Sequence, residues 1–115
     1  MILNQGFFTP TSNCYSLAFS TTSATVTIPA SDVVFDKLRI TNGSGNVCFM
    51  QVSTTDPGTI AHPTNGASGS TNVFSVPTGQ TSFISTGITS PGNVYISTIS
   101  ITGTGAVGLQ VGSFL

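Results

Sequence analysis

The sequence is almost without charge: 115 residues include no glutamate, and Lys+Arg and Asp+Glu number 2 and 3. Charged side chains make up 4% of the chain, whereas an ordinary soluble domain carries about 25%. Two cations cannot form the basic patch that binds a phosphate backbone, so we expect no nucleic-acid partner. Low charge also removes the repulsion that keeps copies apart, and therefore predicts that copies of the protein associate rather than stay monomeric.

Groups that perform acid–base chemistry are scarce as well, since His62 is the single histidine of the chain. General acid–base catalysis needs a positioned titratable side chain. A triad of His62, Asp56 and a serine has little support, because serine occurs throughout the sequence. Ser68 misses the G-x-S-x-G spacing of hydrolases by one residue. We therefore predict that the protein is not an enzyme and binds no cofactor.

Metal ligands are equally sparse, because Cys14, Cys48 and His62 show no C-x-x-C or H-x-x-x-H spacing. A ring of His62 side chains around a symmetry axis is conceivable, but a solvent-exposed loop histidine before Pro63 explains the residue better. The N-terminus lacks the basic and apolar regions of a signal peptide, which favours folding in a cytoplasm. There the cysteines stay reduced, and we expect both to be small buried hydrophobic residues rather than a disulfide.

No apolar run is long enough to cross a bilayer, and we expect no membrane partner. The chain instead contains short segments in which apolar and polar residues alternate, which is typical of strands with one buried face. Turns rich in glycine and proline separate these segments. About eight short strands without a convincing helix predict an all-β fold, an antiparallel β-sandwich of the jelly-roll type. The predicted strands are 15–20, 24–28, 37–41, 47–52, 73–76, 81–85, 93–101 and 106–111.

The clearest strand signals lie in residues 37–52, KLRITNGSGNVCFMQV. In the first half Leu38 and Ile40 share one face, whereas the second half is apolar on both faces and is predicted to be covered on both. Between the halves, asparagine and glycine tolerate the positive φ of tight turns. The segment therefore predicts a β-hairpin with Gly43 at positive φ and Phe49 in the core. Residues 103–108 match G-x-G-x-x-G, but a hairpin turn explains them better than a dinucleotide site.

Two segments lack strand alternation. Residues 1–12 include the apolar side chains of Ile2, Leu3, Phe7 and Phe8. They are predicted to be either an arm that packs on a neighbouring molecule or a first edge strand, and residues 13–115 are predicted to form a single β-sandwich domain. Residues 53–72 form a long polar loop, and such loops are often functional. Aromatic side chains at a chain end are effective interface anchors. The candidate interface residues are Ile2, Leu3, Phe7, Phe8 and His62.

The chain from Arg39 onward follows a recognisable order of motifs. Arg39-Ile40-Thr41-Asn42 precedes a glycine turn and the Val- and Phe-rich strand 47–52. A Pro-x-Gly turn follows at Pro77-Thr78-Gly79, and residues 99–107 read I-x-x-x-G-x-G-x-V. This order, which extends to Gly112, resembles small virion proteins of tailed bacteriophages.

The resemblance implies a capsid decoration or cement protein, a β-sandwich that binds outside the shell as a dimer or trimer. Its partners would be the major capsid protein or another virion protein, and its location the virion, after assembly in the host cytoplasm. The alternative is a tail-fibre module that binds a receptor or a carbohydrate. Sugar sites favour exposed aromatic residues, particularly tryptophan, which this chain lacks, and Tyr15 and Tyr95 both lie in strand patterns.

Overall fold

The computed structural model describes residues 8–10, 14–29, 37–64, 72–86 and 92–114. These residues form nine β-strands and no helix, so the predicted all-β fold is confirmed, and each of the eight predicted strands is present. The ninth is a three-residue strand that precedes them. In chain order the strands are β1 (Phe8–Pro10), β2 (Tyr15–Phe19), β3 (Ala24–Ile28), β4 (Lys37–Asn42), β5 (Cys48–Ser53), β6 (Phe74–Val76), β7 (Gln80–Ser85), β8 (Val94–Ile99) and β9 (Gly105–Phe114).

Two antiparallel sheets pack against each other. The first sheet has the order β2–β9–β4–β7, and the second has the order β3–β8–β5–β6. Strand β1 also belongs to the first sheet, because it pairs with the C-terminal part of β9 while β2 pairs with the N-terminal part. Strands β1 and β2 therefore lie end to end along the same side of β9. Because they share this one position, each sheet is four strands wide.

The order in which successive strands alternate between the two sheets defines the fold. From β2 to β9, each connection between described strands crosses from one sheet to the other, except the β5–β6 connection, which stays in the second sheet. Counted from β2, the first sheet contains strands one, eight, three and six, and the second contains two, seven, four and five. This is the strand order of a jelly roll, in which two Greek keys form a double sheet.

The predicted hairpin over residues 37–52 is wrong in its pairing. Both strands exist, but β4 pairs with β7 and β9, whereas β5 pairs with β6 and β8. The turn between them crosses the sandwich instead of joining neighbours in one sheet. Gly43 is not among the positive-φ residues, so that expectation is also wrong. A crossing turn does not need the backbone twist that the primed hairpin turns supply.

The hairpin turn predicted within residues 103–108 is also wrong, because this turn crosses from β8 in the second sheet to β9 in the first. Gly103 has φ 74°, a conformation that glycine adopts without strain.

The hydrophobic core lies between the sheets, where alternate residues of each strand point inward. In β4, Leu38 and Ile40 are both 0% exposed, whereas the Lys37 and Arg39 side chains lie on the outer face. The buried core cluster is Leu17, Phe19, Ile28, Leu38, Ile40, Cys48, Met50, Val76, Val94, Ile96, Val107, Leu109 and Val111.

The loop after β5 covers part of the outer face of the second sheet. Ile60 is buried, and its N–H donates to the Ser23 hydroxyl over 3.0 Å. Beside it, the hydroxyls of Thr25 and Ser97 lie 2.8 Å apart, and Ser97 is 0% exposed. This covering explains why the central strand β8 is buried on both faces.

In β5, the inward side chains are those of Cys48 and Met50, both 0% exposed. Phe49 points to the outer face, where it is half-buried. The expected position of Phe49 in the core is therefore wrong, although its strand is covered on both faces as predicted.

Candidate interface at one end of the sandwich

Four connections lie at one end of the sandwich, one of them the β2–β3 turn, where the Ser100 N–H donates to the Ser20 carbonyl over 2.9 Å. The buried side chain of Asn42 joins two of the other three. Its Nδ2 donates to the carbonyl of Asn46 over 3.0 Å and to that of Val76 over 3.2 Å. Its Oδ1 accepts from the Ser44 N–H at 3.0 Å and the Ser44 hydroxyl at 2.8 Å. The Gly79 N–H donates to the Asn42 carbonyl over 2.6 Å. One side chain thus ties the β4–β5 turn to the end of β6.

The third connection, between β8 and β9, is joined to the same network through Asn46. The Asn46 Nδ2 donates to the Thr104 carbonyl over 2.9 Å. A Cβ on Gly103 would lie 2.5 Å from that Nδ2, and one on Gly105 would lie 2.6 Å from the Ser44 Cβ. Both positions therefore require glycine for the close approach of the turns. Hydrogen bonds thus connect these three turns and hold them in place relative to one another.

An apolar cleft lies on the outer side of this end. It has a volume of about 410 Å³ and is lined by Gly45, Asn46, Val47, Phe49, Ile101 and Thr102. Val47 is 42% exposed and Ile101 is 51% exposed, although both side chains are large and hydrophobic. Because exposed apolar side chains line a concave surface here, the cleft is a candidate contact surface. We refer to it as the Val47–Ile101 cleft.

Strand geometry explains why these residues meet. Val47 precedes β5 and shares the outward direction of Phe49, because side chains two residues apart lie on one face. Phe49 is paired with Ile99 of β8, and Ile101 follows two residues later. The sequence pattern showed apolar residues in both segments, but only the pairing of β5 with β8 places them side by side.

His62 lies next to this cleft but does not line it. Its ring is half-buried, with the centroid 6.5 Å from that of Phe49 and a tilt of 38° between the planes. The Nδ1 atom lies 2.9 Å from the Pro63 carbonyl, so Nδ1 carries the proton and donates it. His62 thereby packs beside Phe49, and its role at an interface stays a prediction.

The other predicted interface residues lie elsewhere. The backbone of Phe8 is part of β1 and pairs with Phe114. Ile2, Leu3 and Phe7 lie outside the described residues. Of residues 1–12, the described part is therefore a strand at the sheet edge, and the arm stays a prediction for residues 1–7.

The described residues bring few chemically active groups together. They include no group of three or more His, Cys, Asp and Glu side chains that could hold a metal ion. Asp56 accepts a hydrogen bond from the Gly58 N–H over 2.9 Å, which is a local turn contact. The Thr98 hydroxyl is buried without a hydrogen-bond partner, and it lies on the core-facing side of β8. Within the described ranges, no helix has the length and hydropathy to cross a membrane.

Both cations of the chain lie on the outer face of the first sheet, away from the cleft. The Arg39 guanidinium donates to Gln110 Oε1 over 2.9 Å, and the Lys37 ammonium donates to the Ser85 hydroxyl over 3.4 Å. Phe83 pairs with Arg39 across the β4–β7 ladder and is 46% exposed. This face is polar and charged, whereas the Val47–Ile101 cleft has no charged lining residue.

The two cysteines occupy different environments and do not form a disulfide. Cys48 lies in the core as expected, but Cys14 is exposed, so the expectation that both are buried is wrong. Burial disfavours the thiolate and raises the pKa of the Cys48 thiol to about 12, against a smaller opposing effect of its hydrogen bond with Ile99.

We expect a thiol reagent at neutral pH to label Cys14 within minutes and Cys48 only upon unfolding. The reason is that the reactive species is the thiolate, which Cys48 does not form in the folded protein. Counting labelled thiols by mass spectrometry before and after adding denaturant measures this, and the Cys14→Ser variant is the control. Rapid double labelling of the native protein would contradict the buried position of Cys48.

Comparison with known proteins does not identify a family for this chain. No protein-family model matches the chain, and a search of curated proteins finds no significant match.

Proposed function

We propose that the protein is a non-enzymatic structural protein of a bacteriophage virion, a capsid decoration protein that binds outside the head and bridges neighbouring capsid subunits. The observation that carries the proposal is the exposed Val47–Ile101 cleft at the uncharged end of a jelly roll. Jelly rolls are frequent among viral capsid domains. The order of motifs from Arg39 to Gly112 supports the same class of protein.

The mechanism would be adhesive: copies of the protein associate by burying apolar surface, and the associated copies bridge neighbouring capsid subunits. Each square ångström of apolar surface removed from water contributes about 25 cal/mol, and the exposed parts of Val47, Phe49 and Ile101 are available for this. With a net charge of −1, long-range attraction contributes little, so binding should depend only weakly on salt. The hydrogen bonds of Asn42 keep the cleft in one shape, which lowers the ordering cost of binding.

The sheet edges offer a second adhesive element. Strand β3 is an edge of the second sheet, and its sequence ATVTI contains no charged residue. Proteins that stay monomeric commonly protect such edges with lysine or proline inside the strand. An edge strand without these residues can pair with a strand of another molecule, which fits a protein that functions in an assembly.

Labelling of purified phage particles tests the proposal. Gold-conjugated antibody against the protein, viewed by electron microscopy of particles of the virus that encodes it, should decorate the heads. Antibody against the major capsid protein is the positive control, and preimmune serum is the negative control. Particles without label, with the protein absent from their mass-spectrometric inventory, would overturn the proposal.

A second candidate is the tail-fibre or carbohydrate-binding module. The observation in its favour is the composition of the cleft, in which the Phe49 ring lies beside the polar side chains of Asn46 and Thr102. An aromatic ring with neighbouring polar groups is an arrangement that can hold a sugar. Gold label at the tail tip, together with glycan-array binding that Phe49→Ala abolishes, would favour this candidate over the decoration protein.

A further inference from the structure

The start of strand β1 and the Val47–Ile101 cleft lie at opposite ends of the sandwich. Strand β1 is antiparallel to β9, with Phe8 opposite Phe114 and Pro10 opposite Gly112. Phe8, to which residues 1–7 are attached, therefore lies at the C-terminal end of β9. The cleft lies at the other end of β9, where Asn46 is bonded to the Thr104 carbonyl just before the strand begins.

The length of the chain decides what this segment can reach. Strand β9 contains 10 residues, which corresponds to about 30 Å at roughly 3.3 Å per residue. The seven residues before Phe8 span at most about 25 Å when fully extended. They would also have to reverse direction at Phe8 and run back along the molecule. Residues 1–7 therefore cannot occupy the cleft of their own chain.

We propose that the Val47–Ile101 cleft binds residues 1–7 of a second copy of this chain. The segment has the sequence MILNQGF and carries the apolar side chains of Ile2, Leu3 and Phe7 without any charged side chain. The cleft is apolar and uncharged, so the two surfaces match in chemistry. Its volume of about 410 Å³ falls in the range of pockets that bury small ligands or a few side chains.

The placement restricts the form of the assembly. Because the segment and the cleft are at opposite ends of each molecule, two copies exchange segments reciprocally only if they lie antiparallel. Otherwise each copy passes its segment to the next, and the contacts close into a ring such as a trimer. Both forms bury one cleft per chain. The proposal specifies the contact between copies that the proposed decoration function would use, but it does not require binding to a particle.

Sedimentation velocity at micromolar concentration tests the contact with three variants. The parent protein should form an oligomer, whereas deletion of residues 1–7 and the Ile101→Asp variant should each weaken association at least tenfold, which is about 1.4 kcal/mol. Phe83→Asp is the matched control, since Phe83 is also an exposed large hydrophobic residue but lies on the opposite sheet. It should associate like the parent. Circular dichroism establishes that each variant is folded.

Mixing the two defective proteins makes the test specific. The deletion variant keeps an intact cleft and the Ile101→Asp variant keeps an intact segment, so an equimolar mixture should form a heterodimer that neither protein forms alone. If the deletion variant is unfolded, excess peptide of residues 1–7 replaces it and should dissociate the parent oligomer, whereas a scrambled peptide should not. A monomeric parent, an oligomer that survives the deletion, or a mixture without heterodimers would overturn the proposal. Particle labelling is independent of these results.

Discussion

Replacing Asn42 by leucine is expected to lower the free energy of unfolding by about 3–5 kcal/mol. A buried group that loses its hydrogen-bond partner costs about 1–3 kcal/mol. The leucine would leave the Ser44 N–H and the Val76 carbonyl without their present partner, and the Asn46 carbonyl with the Ser44 hydroxyl alone. Leucine has the same branched shape and is larger than asparagine, so the loss would not reflect a cavity. Urea denaturation followed by circular dichroism measures the difference.

The neighbouring Thr41 provides the control for this experiment. Its side chain is exposed, and its hydroxyl lies 3.2 Å from that of Thr81 on the adjacent strand. Thr41→Ala should therefore change the free energy of unfolding by no more than about 0.5 kcal/mol. Equal destabilisation by the two substitutions would show that Asn42 does not hold the turns together.

The second large effect that we expect is a loss of stability when side chains of β5 are truncated. Met50→Ala should destabilise the protein by about 2–5 kcal/mol, because it leaves a cavity in a closed core. Met50 is 0% exposed between the sheets, whereas Phe49 is half-buried on the outer face beside His62. Phe49→Ala should therefore cost clearly less, even though phenylalanine is the larger side chain.

Thermal melts of the two variants beside the parent distinguish the two faces of β5. A larger loss for Phe49→Ala than for Met50→Ala would mean that the strand is rotated by one residue, which exchanges its inner and outer faces. Phe49→Ala should in addition weaken self-association, since Phe49 lines the Val47–Ile101 cleft. The melt therefore measures which face is the core, and sedimentation measures which face binds.

Local pattern was sufficient to locate the strands. The alternation of Leu38 and Ile40 with polar neighbours predicted β4, and Tyr15, Leu17 and Phe19 predicted β2, because the backbone of a strand turns alternate side chains to opposite faces. The same pattern was insufficient for pairing. The residues 43–47 connect two strands equally well within one sheet or across a sandwich, and the choice depends on partners such as β9 that lie more than sixty residues further along the chain.

Some features were decided by the tertiary structure alone. Both faces of β5 are apolar, so the sequence could not tell whether Phe49 or Met50 faces the core. Both cysteines were expected to be buried, yet Cys14 is exposed and Cys48 is buried. The sequence indicated only that Asn42 begins a turn. Its hydrogen bonds with Val76 and Gly79 depend on the fold, which brings a second turn beside it.

The strand positions, the near-absence of charge and the fold class can be read from the residue types and from a period that the local backbone sets. The strand order, the inner face of β5 and the cleft arise only in the folded chain. Each of these depends on which distant segments bury one another. Val47 and Ile101 are far apart in the chain, and only the pairing of β5 with β8 places both of them in the lining of one cleft.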